Sequence, residues 1–157
     1  MTSYYFSIIG TRDNPVYEFE FSSFKNSLAM STSTSVPGKS QFSASIKEML
    51  PFISNSSLDI IEDAQWTTNL FYLGKIDSFY GLLVNAFITQ GNIKFVLCYD
   101  VSNGTTQKYD DSSIKQFFIE ANDLYVKCLL NPFYSVNDAI VSPDFDLRLK
   151  LIAKKYL

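Results

Sequence analysis

The residues with the most chemical potential in this 157-residue sequence are two cysteines and two pairs of adjacent carboxylates. Cys98 and Cys128 stand alone, outside any Cys-x-x-Cys spacing, and the sequence has no histidine to activate either thiol. Histidine is also the commonest general base and transition-metal ligand, so its absence removes both roles. We therefore predict no catalytic residue and no metal site, and we interpret both cysteines as core residues in a reducing compartment.

The adjacent carboxylates, Glu62-Asp63 and Asp110-Asp111, are more simply explained by helix positions than by acid–base chemistry. Asp110-Asp111 stands where N-cap residues and negative charge stabilise a helix start. Glu62-Asp63 falls on the polar side of another predicted helix. The six glycines are scattered, and neither GxxxxGK[ST] nor GxGxxG occurs, so no cofactor site is predicted. These observations argue against an enzyme and favour a binding module.

Charge and hydropathy restrict the partners. The net charge is −3 and no basic stripe is visible, which argues against nucleic acid. The basic cluster Arg148, Lys150, Lys154 and Lys155 lies in the last predicted helix, where it complements the helix dipole, and a weak membrane-surface contact is the alternative. No apolar run approaches the ~20 residues of a membrane span, and no secretory signal is apparent. We expect a soluble intracellular protein without direct membrane insertion.

Periodicity predicts the elements that would position a binding surface. Short connections, including the hairpin turn Gln90-Gly91-Asn92 and a turn at Asp77-Ser78, indicate an antiparallel meander. The Ser/Thr-rich stretch at about 22–45 is predicted to be a mobile loop. The predicted strands are Tyr4–Gly10, Pro15–Phe21, Tyr72–Asp77, Phe79–Thr89 and Ile93–Asp100, and the predicted helices are Pro51–Gln65, Asp110–Asn131 and Pro143 to about Lys155.

This order, β-β-α-β-β-β-α-α, predicts a single α/β (α+β) domain over residues 1–157. Its sheet has five mainly antiparallel strands, with one helix on one face and two on the other. At 100° per residue, the first helix is predicted to bury one apolar side. The predicted buried residues are Ile53, Ser57, Ile60, Ile61 and Ala64, and the predicted outer residues are Asp59, Glu62, Asp63, Phe52, Leu58 and Trp66.

Several segments together resemble the sedlin family, the small subunits of the transport protein particle (TRAPP), and most closely a fungal member. The N-terminal hairpin resembles it through Tyr5–Gly10 and Asp13–Phe21. The first helix continues the likeness with Ser57–Asp63 and Trp66. The remaining similar segments are Tyr72–Lys75, Asp123–Lys127, Asn131–Tyr134, Ser142–Asp146 and Ala153–Leu157.

The resemblance implies a longin-like, SNARE-like fold and a non-catalytic adaptor subunit of a cytoplasmic vesicle-tethering complex. It implies other TRAPP subunits as partners in a hetero-oligomer, and an indirect link to activation of a Rab-family GTPase. It also implies transport between endoplasmic reticulum and Golgi, association with those membranes through the complex, and a link to autophagy. In the family, the aspartate that matches Asp59 is associated with attachment of additional subunits.

We therefore predict a partner-binding surface formed by Asp59, Phe52, Leu58, Glu62, Asp63 and Trp66. Weaker candidates are Asn131–Tyr134, which can equally end a helix and pack over the core, and the pair Phe71-Tyr72. Two alternatives keep a similar fold and change the function. One is a longin-type small subunit of a coat adaptor complex, and the other is a small-ligand-binding α/β domain, which a preformed pocket of several hundred Å³ would favour.

Overall fold

The computed structural model describes residues 3–22, 42–79, 81–100 and 111–157. Within these ranges the elements follow the predicted order. They are β1 (Ser3–Ile9), β2 (Pro15–Ser22), α1 (Ala44–Gln65), β3 (Tyr72–Phe79), β4 (Leu82–Ile88), β5 (Lys94–Asp100), α2 (Asp111–Leu129) and α3 (Pro143–Tyr156).

The strands form one sheet in the order β2-β1-β5-β4-β3, and every neighbouring pair is antiparallel. Successive side chains of a strand point to opposite faces, so β1 serves two cores. Tyr4, Phe6 and Ile8 pack with α2 and α3, whereas Tyr5 and Ile9 pack with α1. The predicted fold class, a five-stranded antiparallel sheet with one helix on one face and two on the other, is confirmed.

The α2–α3 layer is built on aromatic rings. Phe6 of β1 meets Phe117 of α2 edge to face, with ring centroids 5.2 Å apart. Such aromatic pairs add about 0.5–1.5 kcal/mol beyond the area they bury. Tyr17 of β2 donates a hydrogen bond of 2.6 Å to Asp146 of α3, which fixes the last helix against the edge of the sheet.

The α1 layer approaches the sheet through small side chains. Ser54 and Ser57 are both buried, and the Ser54 hydroxyl lies 2.9 Å from the hydroxyl of Ser7 in β1. The Ser57 hydroxyl donates to the Ile53 carbonyl. Because buried hydroxyls are costly without partners, these hydrogen bonds allow the helix to lie close to the strands.

The first helix begins earlier than predicted. Ser43 has extended backbone angles, and its side chain accepts a hydrogen bond from the Ile46 amide at 3.4 Å, so the helix starts at Ala44. Pro51 therefore lies inside the helix and not in its first turn. Proline was interpreted as a helix start because it suits that position, but the serine cap and the buried Leu50 extend the helix upstream.

The turn predicted at Asp77-Ser78 is wrong, since both residues lie in β3, which runs to Phe79 before β4 starts at Leu82. Gly81, with φ of +79°, provides the left-handed conformation between those strands. Most of the predicted mobile loop at 22–45 lies outside the described residues. Its first residue ends β2 and its last residues belong to the cap and first turn of α1.

Candidate partner-docking surface

The outward side of α1 carries a stripe of acidic and aromatic residues. Phe52, Asp59, Asp63 and Trp66 are spaced by seven, four and three residues, so at 3.6 residues per turn they lie along one side of the helix. All four are exposed, with Phe52 at 61% and Trp66 at 83%. The stripe spans roughly 21 Å at 1.5 Å per residue. We call these four residues the α1 surface.

Asp59 lies almost opposite the buried side of the helix. Two residues correspond to 200° of rotation, so Asp59 points away from Ile61, which is fully buried against the sheet. A carboxylate there pays no desolvation penalty in the isolated chain. It is available to a partner, between two exposed aromatic side chains.

Two predicted positions on α1 are wrong. Leu58, which we expected on the outer side, is 4% exposed and belongs to the core with Ile53 and Ile61. Ile60, which we expected inside, is 37% exposed. The buried side is rotated about 45° from the predicted one. The reason is that Ser54 and Leu58 pack inward in place of Ile60 and Ala64.

Glu62 has a structural partner that the sequence did not reveal. Its carboxylate lies 3.5 Å from the ammonium of Lys94, the first residue of β5. Lys94 is only 2% exposed, and it also donates to Asp13 in the β1–β2 turn at 3.2 Å. Glu62 therefore ties α1 to the sheet while remaining about half exposed beside the α1 surface. The available signal was a lysine directly before the apolar run Phe95–Tyr99, which requires an acidic partner when buried.

The segment that follows α1 leads from the end of the helix to the sheet and exposes two apolar side chains. Thr67 caps the helix by donating its hydroxyl to the Ala64 carbonyl at 2.8 Å, which fixes the end of the helix beside Trp66. Leu70 and Phe71 are 67% and 46% exposed. The Phe71 carbonyl accepts from the Ile88 amide, so this segment is held to β4. Tyr72 enters the sheet as the first residue of β3, and the Phe71 ring lies 6.3 Å from that of Phe87 in the α2–α3 layer, so neither residue belongs to the α1 surface.

The two cysteines are fully or partly buried, and several of the carboxylates make contacts within the fold. Burial raises the pKa of Cys98 to about 12, with Asp77 contributing, so its thiol stays protonated. Burial also raises the pKa of Cys128. Glu62 and Asp63 diverge, one toward Lys94 and the other toward solvent, and Asp111 accepts from the Tyr72 hydroxyl. Within the described ranges, no cluster of three or more acidic, cysteine or histidine side chains is placed to hold a metal ion.

A cavity of about 310 Å³ lies between the β4–β5 turn and α2. Its walls are mainly apolar, with polar atoms at Thr89, Gln90 and Asn122. That volume is at the lower end of the range for small-molecule sites, and none of its lining residues carries a charge. The lining residues are Phe71, Phe87, Thr89, Gln90, Gly91, Ile93, Asn122, Tyr125 and Leu129.

No helix in the described part of the chain is both long enough and apolar enough to cross a membrane.

Comparison with known proteins gives a consistent family. A family model described as Sedlin matches residues 8–155. The chain is 37% identical to the trafficking protein particle complex subunit 20 of Saccharomyces cerevisiae, over 98% of this chain and 97% of that protein.

Two further relatives match over similar lengths. The transport protein particle 20 kDa subunit of Schizosaccharomyces pombe is 38% identical over 98% of both chains. A probable trafficking protein particle complex subunit 2 of Drosophila melanogaster is 34% identical over 100% of this chain and 99% of that protein.

Proposed function

This chain belongs to the sedlin family, and on that premise we propose that it is a non-catalytic subunit of a trafficking protein particle complex. The observation that carries the proposal is its 37% identity, over nearly the full length of both chains, to a relative named as a subunit of that complex. The match covers nearly all of both chains, so it supports the proposal for the whole described fold and not for one segment of it.

The function we propose is adaptor binding in vesicle tethering, in transport between endoplasmic reticulum and Golgi and in autophagy. The chain would be part of a hetero-oligomer and reach those membranes through the other subunits. Its link to activation of a Rab-family GTPase would be indirect. The burial of Cys98 and the pairing of Glu62 with Lys94 support a role in binding, because neither group is positioned as an activated nucleophile or base.

We place one subunit contact on the α1 surface. Trp66 and Phe52 are large, exposed and aromatic, and such residues dominate the binding energy of protein interfaces. Asp59 and Asp63 lie between them, so a partner with an apolar groove and basic side chains would be complementary. Glu62 orients the helix through Lys94, and Leu58 supports it from the core.

The experiment is Asp59→Tyr in the tagged full-length chain, followed by purification of the native complex and quantitative mass spectrometry. We expect at least one subunit to fall by about tenfold or more, equivalent to a loss of about 1.4 kcal/mol. The reason is that the substitution removes a charge and adds bulk at the centre of the contact. The isolated domain should unfold as wild type does, since Asp59 is exposed.

Asp123→Tyr is the matched control, because it places the same bulk at an exposed aspartate of α2. Undiminished recovery of every subunit with Asp59→Tyr would contradict the proposed contact. Recovery of coat-adaptor subunits with the wild-type chain would favour the coat alternative. A wild-type chain with no stable partner, and with a small molecule retained in native mass spectrometry, would favour ligand binding in the 310 Å³ cavity.

A further inference from the structure

The segment between α2 and α3 exposes apolar side chains that the α1 surface does not include. Leu130, Phe133 and Val136 are 77%, 95% and 55% exposed. We call these three residues the connector surface. The neighbouring Tyr134 packs against the core, so the alternative that Asn131–Tyr134 covers the core holds for Tyr134 and not for Phe133.

The backbone around Phe133 is held in two successive turns. The Asn131 side chain accepts from the Phe133 amide at 3.0 Å, and the Asn131 carbonyl accepts from the Tyr134 amide at 3.1 Å. The Asp138 carboxylate accepts from the Ser135 amide, and its carbonyl accepts from the Tyr134 hydroxyl. Pro132 further restricts the chain. These contacts fix the direction in which Phe133 leaves the surface.

A third set of contacts fastens the connector to the β1–β2 turn. The Asn137 side-chain oxygen accepts from the Thr11 amide at 2.7 Å, and the Asn137 carbonyl accepts from the Asn14 side chain at 3.1 Å. Asn137 has φ of +74°, a conformation that asparagine tolerates better than most residues. The Ile140 amide also donates to the Val16 carbonyl at the start of β2. The connector is therefore anchored to the sheet between Phe133 and α3.

This rigidity has a consequence for binding. Fully exposing a phenylalanine side chain forgoes about 1.5–3 kcal/mol of burial energy. A mobile loop would lose part of that gain in ordering entropy on binding, whereas a loop already held by hydrogen bonds loses little. A single protruding ring is best covered by a concave apolar pocket, the usual geometry of an aromatic anchor.

Charge distinguishes a protein pocket from a membrane surface. The connector itself, residues 130–142, contains one aspartate, Asp138, and no lysine or arginine. Asp144 and Asp146 are bridged by Arg148 and Lys150 in α3, whereas Asp138 lies within the connector itself. Anionic lipid attracts basic segments, so this composition opposes membrane insertion. It suits a pocket with basic side chains at its rim.

We propose that the connector surface is a second docking surface, which inserts Phe133 into an apolar pocket rimmed by lysine or arginine on another protein subunit. This inference rests on the proposed function, because it requires that the chain is part of a complex, and it adds a second contact to that complex. Because α2 and α3 cover the opposite face of the sheet from α1, we expect the subunit held by Phe133 to differ from the one held by Asp59.

The test compares native complexes purified through the full-length chain as wild type, Phe133→Ala, Asp59→Tyr and Leu151→Ala. Leu151 is the matched control, an apolar residue of α3 that is 60% exposed. In parallel, a photo-crosslinking phenylalanine analogue at position 133 reports the neighbouring residues, and flotation with anionic phosphatidylserine vesicles reports membrane binding. Thermal unfolding should show that Phe133→Ala folds as wild type does, since the ring is 95% exposed.

We expect Phe133→Ala to lower one subunit at least tenfold while Asp59→Tyr retains it and Leu151→Ala changes nothing. The crosslink should fall on that subunit beside a lysine or arginine. Unchanged composition with no crosslink, loss of the same subunit in both variants, or vesicle binding that depends on Phe133 would each overturn the second surface. A wild-type chain that recovers no trafficking-complex subunit would instead overturn the proposed function itself.

Discussion

Lys94 shows how one buried charge holds two distant parts of this molecule in register. Its ammonium, 2% exposed, is placed between the carboxylates of Asp13 and Glu62. A buried ammonium is tolerated only when paired groups offset its lost hydration. Both carboxylates are about half exposed and keep part of their own hydration. The cluster joins the β1–β2 turn, β5 and α1, and so helps fix the angle at which the α1 surface is presented.

Replacing Lys94 by glutamate should lower the free energy of unfolding by about 3 kcal/mol or more, because it buries a third carboxylate beside the two acids. Urea unfolding of the isolated domain measures the change. Lys75→Glu, at an exposed position in β3, is the control and should stay within about 0.5 kcal/mol of wild type. Equal stability of the Lys94→Glu and wild-type domains would show that the paired arrangement is not needed.

At the scale of elements, α3 depends on polar contacts at its edges as well as on its buried side. Asp146 accepts from Tyr17 of β2 and pairs with Lys150 at 2.7 Å. The contact with Lys150, followed by the hydrogen bond from Tyr17, lowers the pKa of Asp146 below its ordinary 3.8. A lowered carboxyl pKa means that the ionised form stabilises the fold.

The stability that ionised Asp146 contributes is fully present above the ordinary carboxyl pKa of 3.8. It is lost as the pH falls through the lowered pKa of Asp146 in the folded state. We therefore expect Asp146→Asn, which cannot titrate, to lose less stability than wild type between about pH 5 and about pH 2. The asparagine can still accept from Tyr17, so the fold should persist. Urea unfolding across that pH range checks this, with Asp123→Asn as an exposed control. Identical pH slopes for Asp146→Asn and wild type would contradict the role of Asp146.

The elements that could be predicted from the sequence are those whose signal is local. The second helix, α2, and the β1–β2 hairpin followed directly from apolar periodicity, and both are confirmed. The start of α1 was missed because Pro51 suggested an N-terminus, whereas the true cap, Ser43, lay inside a serine-rich stretch. Leu58 was misplaced because the apolar Leu58 and Ile60 lie on either side of the buried stripe, and helical spacing alone did not determine which of the two packs against the sheet.

The parts of the candidate surfaces that sequence reasoning missed depend on contacts between distant residues. Asp13 and Lys94 are 81 positions apart, and Thr11 and Asn137 are 126 apart. No short pattern records such pairs, because each residue is an ordinary turn or strand-end residue on its own. Asp59, Phe52 and Trp66 could be predicted as exposed because helical spacing alone determines their side.

For the molecule as a whole, the β1–β2 turn is the point where both proposed docking surfaces are supported. On one side Asp13 reaches Lys94, which holds Glu62 and α1. On the other side Thr11 and Asn14 hold Asn137 and the connector. Two surfaces that share a support are presented at a fixed spacing, as a subunit that links two neighbours requires. The proposed adaptor role therefore depends on this turn although neither surface includes it.

Gly10 lies where that support is tightest. A Cβ on Gly10 would overlap the side-chain oxygen of Asn137 and lie 2.8 Å from that of Asn14. Gly10→Ala should force the Asn137 amide away and break its hydrogen bonds with Thr11. At roughly 1 kcal/mol for each lost bond, we expect a fall of about 1–3 kcal/mol in the free energy of unfolding.

The same substitution should lower recovery of the subunit held by Phe133 more than recovery of the one held by Asp59, because Asn137 is displaced directly while Lys94 is not. Urea unfolding and quantitative mass spectrometry of the native complex measure the two effects. Gly91→Ala is the matched control, since a Cβ there meets only the Thr89 hydroxyl, at 3.9 Å. If Gly10→Ala reduced both subunits equally at unchanged stability, the turn would not support the connector, and the fixed spacing of the two surfaces would need another origin.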